Sequence, residues 1–306
     1  MEFSDLVESL CTVIAVPVTP FSRGGEVDLI AFRRLVGDLV AGGITAITPN
    51  GNTGEFYSLS PIECRRTLEA TIEAAGGRAL VVAGVGFDSA TAIEMARFSR
   101  QAGAGAIMVH QICHPYRTHQ GWVSYHQAIA EAVPELGIVP YVRDNMVNAA
   151  MMQHLLGLCP NIVGVKYAVP DSLLFATMVR EVGIERLAWV CGVAESWAPF
   201  FWVGGARGFT SGLVNVHAKL SLDMLKFLRA SDYVSAMRIW SRLKPFEDLR
   251  SRHNNGNNVS VIKEAMAQLG LIGRSVRPPI SELPECERVE VADILTGWEL
   301  RVPPSA

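Results

Sequence analysis

The sequence predicts an α/β protein: a (β/α)8 TIM barrel with a C-terminal helical extension. Two observations support this fold. Short apolar runs that are too short to be helices alternate with longer helix-like stretches, which is typical of a parallel sheet covered by helices. After residue 212 the strand-like runs stop and helical patterns continue. The eight predicted strands are residues 12–18, 44–49, 79–85, 106–110, 138–142, 162–168, 187–192 and 208–211.

The stretches between these runs carry the signals of helices. Residues 27–41 begin near Asp28, and residues 61–75 follow Ser60, which suits an N-cap with Pro61 at the first helical position. Glycine commonly ends a helix, because it adopts the left-handed conformation without steric cost. The predicted helix ends are marked by Gly42-Gly43, Gly76-Gly77, Gly103 and Gly183.

A doubly wound open sheet is the alternative fold. It usually has fewer strands and often a Gly-rich turn after the first, whereas here Pro17, Pro20 and Phe21 follow the first run. The sequence therefore favours a catalytic barrel over residues 1–218 with a helical extension packed on it over residues 219–306. In that extension we predict helices at residues 220–228, 233–243, 259–269 and 283–295.

Composition excludes several classes of function. The chain has 306 residues, of which 49% are hydrophobic, and a net charge of −3, so neither disorder nor nucleic-acid or membrane-surface binding is indicated. The six cysteines form no CxxC pair, and no metal site is predicted. The first residues are acidic, unlike a signal peptide, and no apolar run reaches the ~18 residues that span a bilayer. We therefore expect a cytoplasmic protein with reduced thiols.

Lys166 is the first candidate for chemistry. It is one of five lysines, and it alone lies in an apolar strand-like run. Burial penalises a charged amine and lowers its pKa, and a neutral amine can attack a ketone to form an imine. Catalytic groups of such barrels lie at the C-terminal ends of strands, where Lys166 is placed. The alternative is a lysine that pairs with a carboxylate at the strand end, and the residue alone does not decide between the two.

Three further features lie at strand ends. Tyr141, in the fifth strand, should approach Lys166 in the sixth and could move protons during imine formation, unless it is an ordinary core tyrosine. Arg143 suits bidentate carboxylate binding, or else an ion pair with Asp144. The Gly-Asn-Thr-Gly-Glu loop at residues 51–55 exposes N–H groups that suit a carboxylate, although such sequences also form ordinary turns.

Together these residues resemble the superfamily of Schiff-base lyases that includes dihydrodipicolinate synthase and N-acetylneuraminate lyase. The resemblance covers nearly the whole chain, from about residue 13 to residue 284. It rests on Val-Pro-Val-Thr-Pro-Phe at residues 16–21, the loop at residues 51–55, Tyr141, and Gly-Val-Lys at residues 164–166. Each piece is common, but their order and spacing are specific.

Within this superfamily the sequence looks most similar to 5-dehydro-4-deoxyglucarate dehydratase. The pointers are Thr-Gly-Glu-Phe-Tyr-Ser-Leu at residues 53–59, Tyr-Val-Arg-Asp-Asn at residues 141–145, Val-Ser-Val-Ile-Lys at residues 259–263 and Val-Arg-Pro-Pro at residues 276–279. That family dehydrates and decarboxylates a keto-deoxy diacid to 2,5-dioxopentanoate through an imine. The resemblance thus implies a lyase that acts on a small 2-keto acid and needs no cofactor, since the imine accepts the electrons.

The resemblance also implies roles for individual residues. Lys166 would form the imine, Tyr141 would shuttle protons, and Arg143 would hold the distal part of the substrate. Tyr116 resembles a tyrosine that dihydrodipicolinate synthases lend across a subunit interface. The implied substrate contacts are Asn52, Thr53, Gly54, Arg143, Ser211 and Asn215. Homo-oligomers, commonly tetramers, are usual in the superfamily, so a homo-oligomer is expected by analogy.

Three departures from the dehydratase pattern fall in or beside the pocket. Asn52 stands where a second glycine is usual, Val142 replaces an asparagine, and Tyr167-Ala168 replace Asp-Gly after the lysine. These changes leave the imine lysine in place but do not allow the substrate to be identified from the resemblance. Two alternatives remain: a dihydrodipicolinate synthase or related pyruvate-dependent aldolase, and a non-catalytic barrel that binds a keto acid.

Overall fold

The eight strands form a closed parallel barrel in the computed structural model, which describes residues 2–300. Strands that follow one another in sequence are neighbours in the barrel, and the eighth pairs with the first. The predicted fold is confirmed, and the open-sheet alternative is wrong because the sheet has no edge. The strands are β1 (Val13–Ala15), β2 (Ala46–Ile47), β3 (Leu80–Val85), β4 (Ala106–Val109), β5 (Gly137–Val142), β6 (Gly164–Tyr167), β7 (Ala188–Cys191) and β8 (Gly208–Ser211).

Helices follow the strands and cover the outside of the barrel, as the alternating pattern predicted. Two short 3-10 helices, Asn52–Gly54 and Phe56–Ser58, follow β2. The α-helices are α1 (Phe3–Leu10), α2 (Leu29–Ala41), α3 (Pro61–Ala75), α4 (Ser89–Ala102), α5 (His119–Ala132), α6 (Ala149–Leu158), α7 (Ser172–Val182), α8 (Ala194–Val203), α9 (Val214–Arg229), α10 (Tyr233–Asn255), α11 (Asn258–Gln268) and α12 (Glu285–Gly297).

Helix α3 begins and ends where the sequence predicted. The Ser60 hydroxyl accepts a hydrogen bond from the backbone N–H of Glu63, and the Glu63 carboxylate accepts one from the N–H of Ser60. This reciprocal pair satisfies two donors that the first helical turn would otherwise leave without partners. At the other end Gly76 has φ of 54°, a left-handed conformation that glycine adopts without steric cost.

Helix α1 closes the N-terminal end of the barrel, and the sequence did not predict it. Its Leu6 and Leu10 are buried against the beginnings of the strands. A Cβ atom at Gly137, the first residue of β5, would lie 2.8 Å from Leu6 Cδ1, and one at Gly164 would lie 3.4 Å from Leu10 Cδ1. Since this end is filled, a substrate must enter at the opposite end, where the strands terminate.

The C-terminal helices pack on the barrel as an extension. All four predicted helices are present, but α10 continues to Asn255, so its predicted end at residue 243 is wrong. The apolar face of α10 carries the helix past Pro245, since Leu243, Phe246 and Leu249 are buried together. The division proposed between residues 218 and 219 falls inside α9, beside a break in helical geometry at His217.

None of the helices described over residues 2–300 combines the length and apolar character needed to cross a membrane.

Candidate active site

A large cavity opens at the C-terminal ends of the strands. Its volume is about 1080 Å³, and its wall combines strand ends with the 3-10 segment, α8 and α10. Lys166, Tyr141 and Arg143 all line it. It lies where barrel enzymes place their active sites, opposite the end closed by α1.

Lys166 projects into this cavity from β6. Lys166 is 4% exposed, and burial together with the nearby Arg143 guanidinium lowers the pKa of its amine to about 7. Among the residues described, no carboxylate pairs with it, so the alternative of a lysine in an ion pair is not what the structure contains. A substantial fraction of the amine is therefore neutral near pH 7, as a nucleophile requires.

Gly192 leaves room for the stem of Lys166. A Cβ atom at this position would lie 2.9 Å from Lys166 Cγ and 2.9 Å from the Ala168 side chain. Both contacts are shorter than real Cβ atoms tolerate, so glycine after β7 is required by the path of the lysine side chain.

Tyr141 lies directly beside Lys166, as predicted from adjacent strands. The two residues are partners in the β5–β6 ladder, and the Lys166 Nζ lies 4.0 Å from the centre of the Tyr141 ring. Burial raises the pKa of the phenol, so it stays protonated near neutral pH. The Asn52 side-chain amide donates a hydrogen bond of 3.4 Å to the phenol oxygen.

The loop after β2 forms one wall of the cavity. Asn52 and Thr53 line the cavity, whereas Gly54 is buried behind them, where its carbonyl accepts a 2.7 Å hydrogen bond from the Thr19 hydroxyl. Gly51 is needed for the close approach of this loop to β1, since a Cβ atom there would lie 2.5 Å from Val16 Cγ1.

Arg143 lines the cavity on the β5 side and is exposed. The alternative ion pair with Asp144 does not form, because Asp144 is bound by Arg117 at 2.6 Å. The Arg143 guanidinium carbon lies 5.8 Å from the centre of the Tyr141 ring, so it stays near the proposed reaction centre and can meet an anionic ligand.

Comparison with known proteins shows the family of this chain. The family model described as "Dihydrodipicolinate synthetase family" matches residues 9–297. The chain belongs to the dihydrodipicolinate synthetase family. It is therefore related to lyases, as the sequence predicted.

Two curated relatives of this chain carry the name "Probable 5-dehydro-4-deoxyglucarate dehydratase". The protein of Methylobacterium radiotolerans is 31% identical over 290 residues, which cover 92% of this chain and 93% of that one. The protein of Allorhizobium ampelinum is 31% identical over 304 residues, which cover 98% and 100%. The similarity runs over both the barrel and the C-terminal helices.

Solved structures give a second name. The dihydrodipicolinate synthase from Bacillus clausii is 42% identical, with a TM-score of 0.93, over 96% of this chain and all of that one. The dihydrodipicolinate synthase from Oceanobacillus iheyensis is 38% identical, with a TM-score of 0.94, over 98% of this chain and all of that one. The dehydratase and the synthase names thus both occur among proteins similar to this chain.

Two residues predicted to contact substrate are hydrogen-bonded within the protein and do not line the large cavity. The Ser211 hydroxyl donates to the buried Glu195 carboxylate and accepts from the N–H of Val214, while its neighbour Thr210 lines the cavity. Alternation along β8 explains this, since successive side chains point to opposite faces of a strand.

Asn215 holds two strand ends together. Its amide donates to the carbonyls of Val16 and Gly212 and accepts from the N–H of Val18. It is buried and does not line the large cavity, so its contacts are with the backbone around β1 and β8.

Tyr116 lies on the surface, away from the cavity of its own chain. Its residue is 85% exposed, and its carbonyl and N–H contact the His114 ring. Its predicted contribution to a neighbouring subunit is not tested by a single chain and stays a prediction.

Two buried acidic groups near the cavity were not predicted from the sequence. Glu195 of α8 accepts hydrogen bonds from Ser211 and Ser221, and burial, with Glu247 nearby, raises its pKa to about 7. Glu247 of α10 pairs with Arg250, and both line the cavity. Neither residue stands out in the sequence: Glu195 is a lone charge on an otherwise apolar helix, and Glu247 is one of several charged residues on α10.

Proposed function

We propose that the protein is a class I lyase in which Lys166 forms an imine with a small 2-keto acid. The favoured substrate is a 2-keto-3-deoxy sugar acid such as 5-dehydro-4-deoxyglucarate. One observation carries the proposal: a buried amine whose pKa is about 7, with no paired carboxylate among the described residues, faces a large cavity beside Tyr141. Such an amine suits attack on a carbonyl carbon.

The chemistry begins with attack of the neutral amine on the ketone carbon. The carbinolamine loses its hydroxyl as water and becomes an iminium, and Tyr141 is placed to pass the proton that this exchange requires. The iminium then accepts the electron pair left when a proton leaves the adjacent carbon, C3. Loss of the C4 hydroxyl as water turns the resulting enamine into a conjugated iminium.

A diacid can undergo a second step from the same intermediate. In the conjugated iminium the electron pair of the distal C–CO2 bond can flow through the new double bond to the nitrogen, and CO2 leaves. Protonation on carbon and hydrolysis of the imine then release the product and the amine. Arg143 is the residue proposed to hold the distal end of the substrate, since it lines the cavity on the β5 side.

A pyruvate-dependent aldolase is the second candidate. The names of the two solved structures at 42% and 38% identity favour it. In that reaction the Lys166 enamine of pyruvate would attack an aldehyde, and a cavity of about 1080 Å³ has room for both molecules. An assay that follows pyruvate consumption with and without an added aldehyde separates this reaction from dehydration.

Borohydride trapping tests the imine directly. We would incubate the protein with pyruvate, 5-dehydro-4-deoxyglucarate or 2-keto-3-deoxygluconate, reduce it, and locate the added mass by peptide mass spectrometry. The adduct is expected on Lys166 and not on Lys263, the other buried lysine, which serves as an internal control. The keto acid that is also turned over identifies the reaction.

Lys166→Met is the matched variant. It should lose trapping completely and lose turnover by at least roughly 1,000-fold, because the covalent intermediate cannot form. Circular dichroism checks that the variant is folded. Trapping at another lysine, or turnover by the variant, would contradict the mechanism, and folded protein that traps no keto acid would favour a binding barrel without catalysis.

A further inference from the structure

Arg250 is a buried guanidinium on the wall of the cavity, contributed by the C-terminal extension. Its side chain is 3% exposed. It donates from Nη1 to Glu247 at 2.5 Å, from Nε to the Asn258 carbonyl at 3.2 Å, and from Nη2 to the Asn258 side-chain oxygen at 3.1 Å. A guanidinium has five N–H donors. One donor on each terminal nitrogen therefore has no partner among residues 2–300.

The Nη2 end of the guanidinium lies beside the loop after β2. A Cβ atom at Gly212 would be 2.9 Å from Arg250 Nη2 and 3.1 Å from the Thr53 methyl group. Arg250, Gly212 and Thr53 thus meet at one place, and all three line the cavity. Gly212 permits the guanidinium to approach the strand ends, because any larger residue would place a side chain where Nη2 lies.

Arg250 and Arg143 lie on opposite sides of the barrel mouth. Thr53 follows β2 and Gly212 follows β8, and β1 lies between these two strands in the barrel. Arg250 is therefore near the end of β1, while Arg143 follows β5. In a closed barrel of eight strands, β1 and β5 are four places apart. Lys166 on β6 thus has one guanidinium on each side, an arrangement that suits a substrate with an anionic group at each end.

A break in helical geometry in the last turn of α10 holds Arg250 in this orientation. Past Arg252 the chain turns sharply through His253, Asn254 and Asn255, whose φ angles are 54°, 55° and 67°. Asparagine tolerates this left-handed region better than most residues. The turn brings Asn258 back onto the guanidinium, so two of its donors are fixed before a ligand arrives and the rest are directed.

We propose that Arg250, together with the Thr53 loop, binds the carboxylate next to the ketone. The proposal rests on the proposed function of Lys166 as the imine lysine. A buried ion pair with Glu247 is weak evidence for a stabilising role alone, since apolar residues of the same size stabilise a core at least as well. Two unused, directed donors on a cavity wall fit a role in binding.

The test compares two ketones that differ in one charge. Pyruvate carries the carboxylate next to the ketone, and methyl pyruvate masks it as an ester. For each ketone we would measure the concentration that gives half-maximal borohydride trapping on Lys166. In Arg250→Lys this concentration should rise roughly tenfold or more for pyruvate and stay within about twofold for methyl pyruvate, because a lysine keeps the charge but loses the paired donors.

Two further variants control the result. Arg252→Lys changes a neighbouring arginine that binds Glu290 at the surface and does not line the cavity, so both ketones should behave as in the unchanged protein. Gly212→Ala keeps every charge but places a methyl group against Nη2. It should raise the half-maximal trapping concentration for pyruvate and leave that for methyl pyruvate unchanged. It replaces Arg250→Lys if that variant does not fold.

The outcomes separate this proposal from the function on which it rests. Arg250→Lys and Gly212→Ala could raise the half-maximal concentration equally for both ketones, or for neither. Either result would show that Arg250 does not bind the carboxylate, and it would overturn this proposal while leaving the imine mechanism intact. If the unchanged protein forms no trapped adduct with any keto acid, the proposed imine chemistry of Lys166 is wrong. Calorimetric binding of pyruvate to the unchanged protein and to Arg250→Lys then decides the role of Arg250, and equal affinities would overturn it.

Discussion

Two lysines of this chain are almost completely removed from water, and their surroundings differ in one respect. Lys166 is 4% exposed on β6, and Lys263 is fully buried on α11. Both amines lie close to an aromatic ring, Lys166 at 4.0 Å from Tyr141 and Lys263 at 4.1 Å from Phe21. Burial lowers the pKa of both. Neither burial nor an aromatic neighbour therefore distinguishes them.

The difference lies in the counter-charge. Lys263 pairs with the Glu55 carboxylate and donates to the Ser275 carbonyl at 2.8 Å, and Glu55 opposes the lowering of its pKa. Lys166 faces a cavity with the cation of Arg143 nearby. A buried lysine paired with a carboxylate links two parts of the structure, whereas a buried lysine that faces a cavity without a carboxylate suits the covalent chemistry proposed above.

Removing the structural lysine should have the largest effect on stability. Lys263→Met leaves the Glu55 carboxylate buried without its partner, which should lower the free energy of unfolding by about 3–5 kcal/mol. Urea unfolding measures this change. The double variant Lys263→Met with Glu55→Gln removes both charges and should recover part of the loss. A loss below about 1 kcal/mol in the single variant would show that the pair does not stabilise the folded chain.

Removing the reactive lysine should change stability in the opposite direction. The pKa of Lys166 is about 7 in the folded chain and 10.5 for an ordinary lysine, so the unfolded chain binds more protons between these values. The resulting destabilisation is full below pH 7 and disappears as the pH rises to 10.5. Lys166→Met should therefore raise the free energy of unfolding at pH 7, by at most about 4 kcal/mol.

The pH dependence of that gain is its control. Unfolding of Lys166→Met and of the unchanged protein is compared at pH 7 and at pH 9, where about half of the gain should remain. A gain of the same size at both values would mean that methionine packs better, and the charge of Lys166 would then not be its cause.

The smallest effect concerns the rate of imine formation. Attack requires the neutral amine, so the initial rate of trapping with pyruvate should fall about tenfold for each pH unit below 7 and level off above about pH 8. Stopped incubations followed by reduction measure this rate. A rate that continues to rise up to pH 10 would show that Lys166 behaves as an ordinary lysine.

The barrel could be predicted from the sequence because its signals are local. Eight apolar runs, the capping pair of Ser60 and Glu63, and the glycine after α3 each act within a few residues. The same reasoning identified Lys166, since a lysine in an apolar run is unusual wherever the chain folds. Helix α1 was missed because its importance comes from plugging the barrel, a contact with strands more than 100 residues away.

The other half of the site was not predictable in this way. Arg250 and Glu195 lie on α10 and α8, where no local signal shows that a charged side chain will be buried at the strand ends. The predicted end of α10 before Pro245 also removed Arg250 from any helix. Ser211 was placed on the strand correctly, but which of two adjacent residues faces the cavity depends on the tilt of the strand, and Thr210 does.

The pairing of Tyr141 with Lys166 in the β5–β6 ladder has a consequence for how such a protein can change over time. Their relative position is set by backbone hydrogen bonds of the barrel, which side-chain replacements elsewhere leave intact. Arg250, by contrast, arrives on a helix that joins the wall from outside. Under the proposed roles, substitutions in α10 can alter how tightly the carboxylate next to the ketone is held, while the imine-forming pair stays the same. The reacting pair and one proposed carboxylate contact are thus carried on separate parts of one chain.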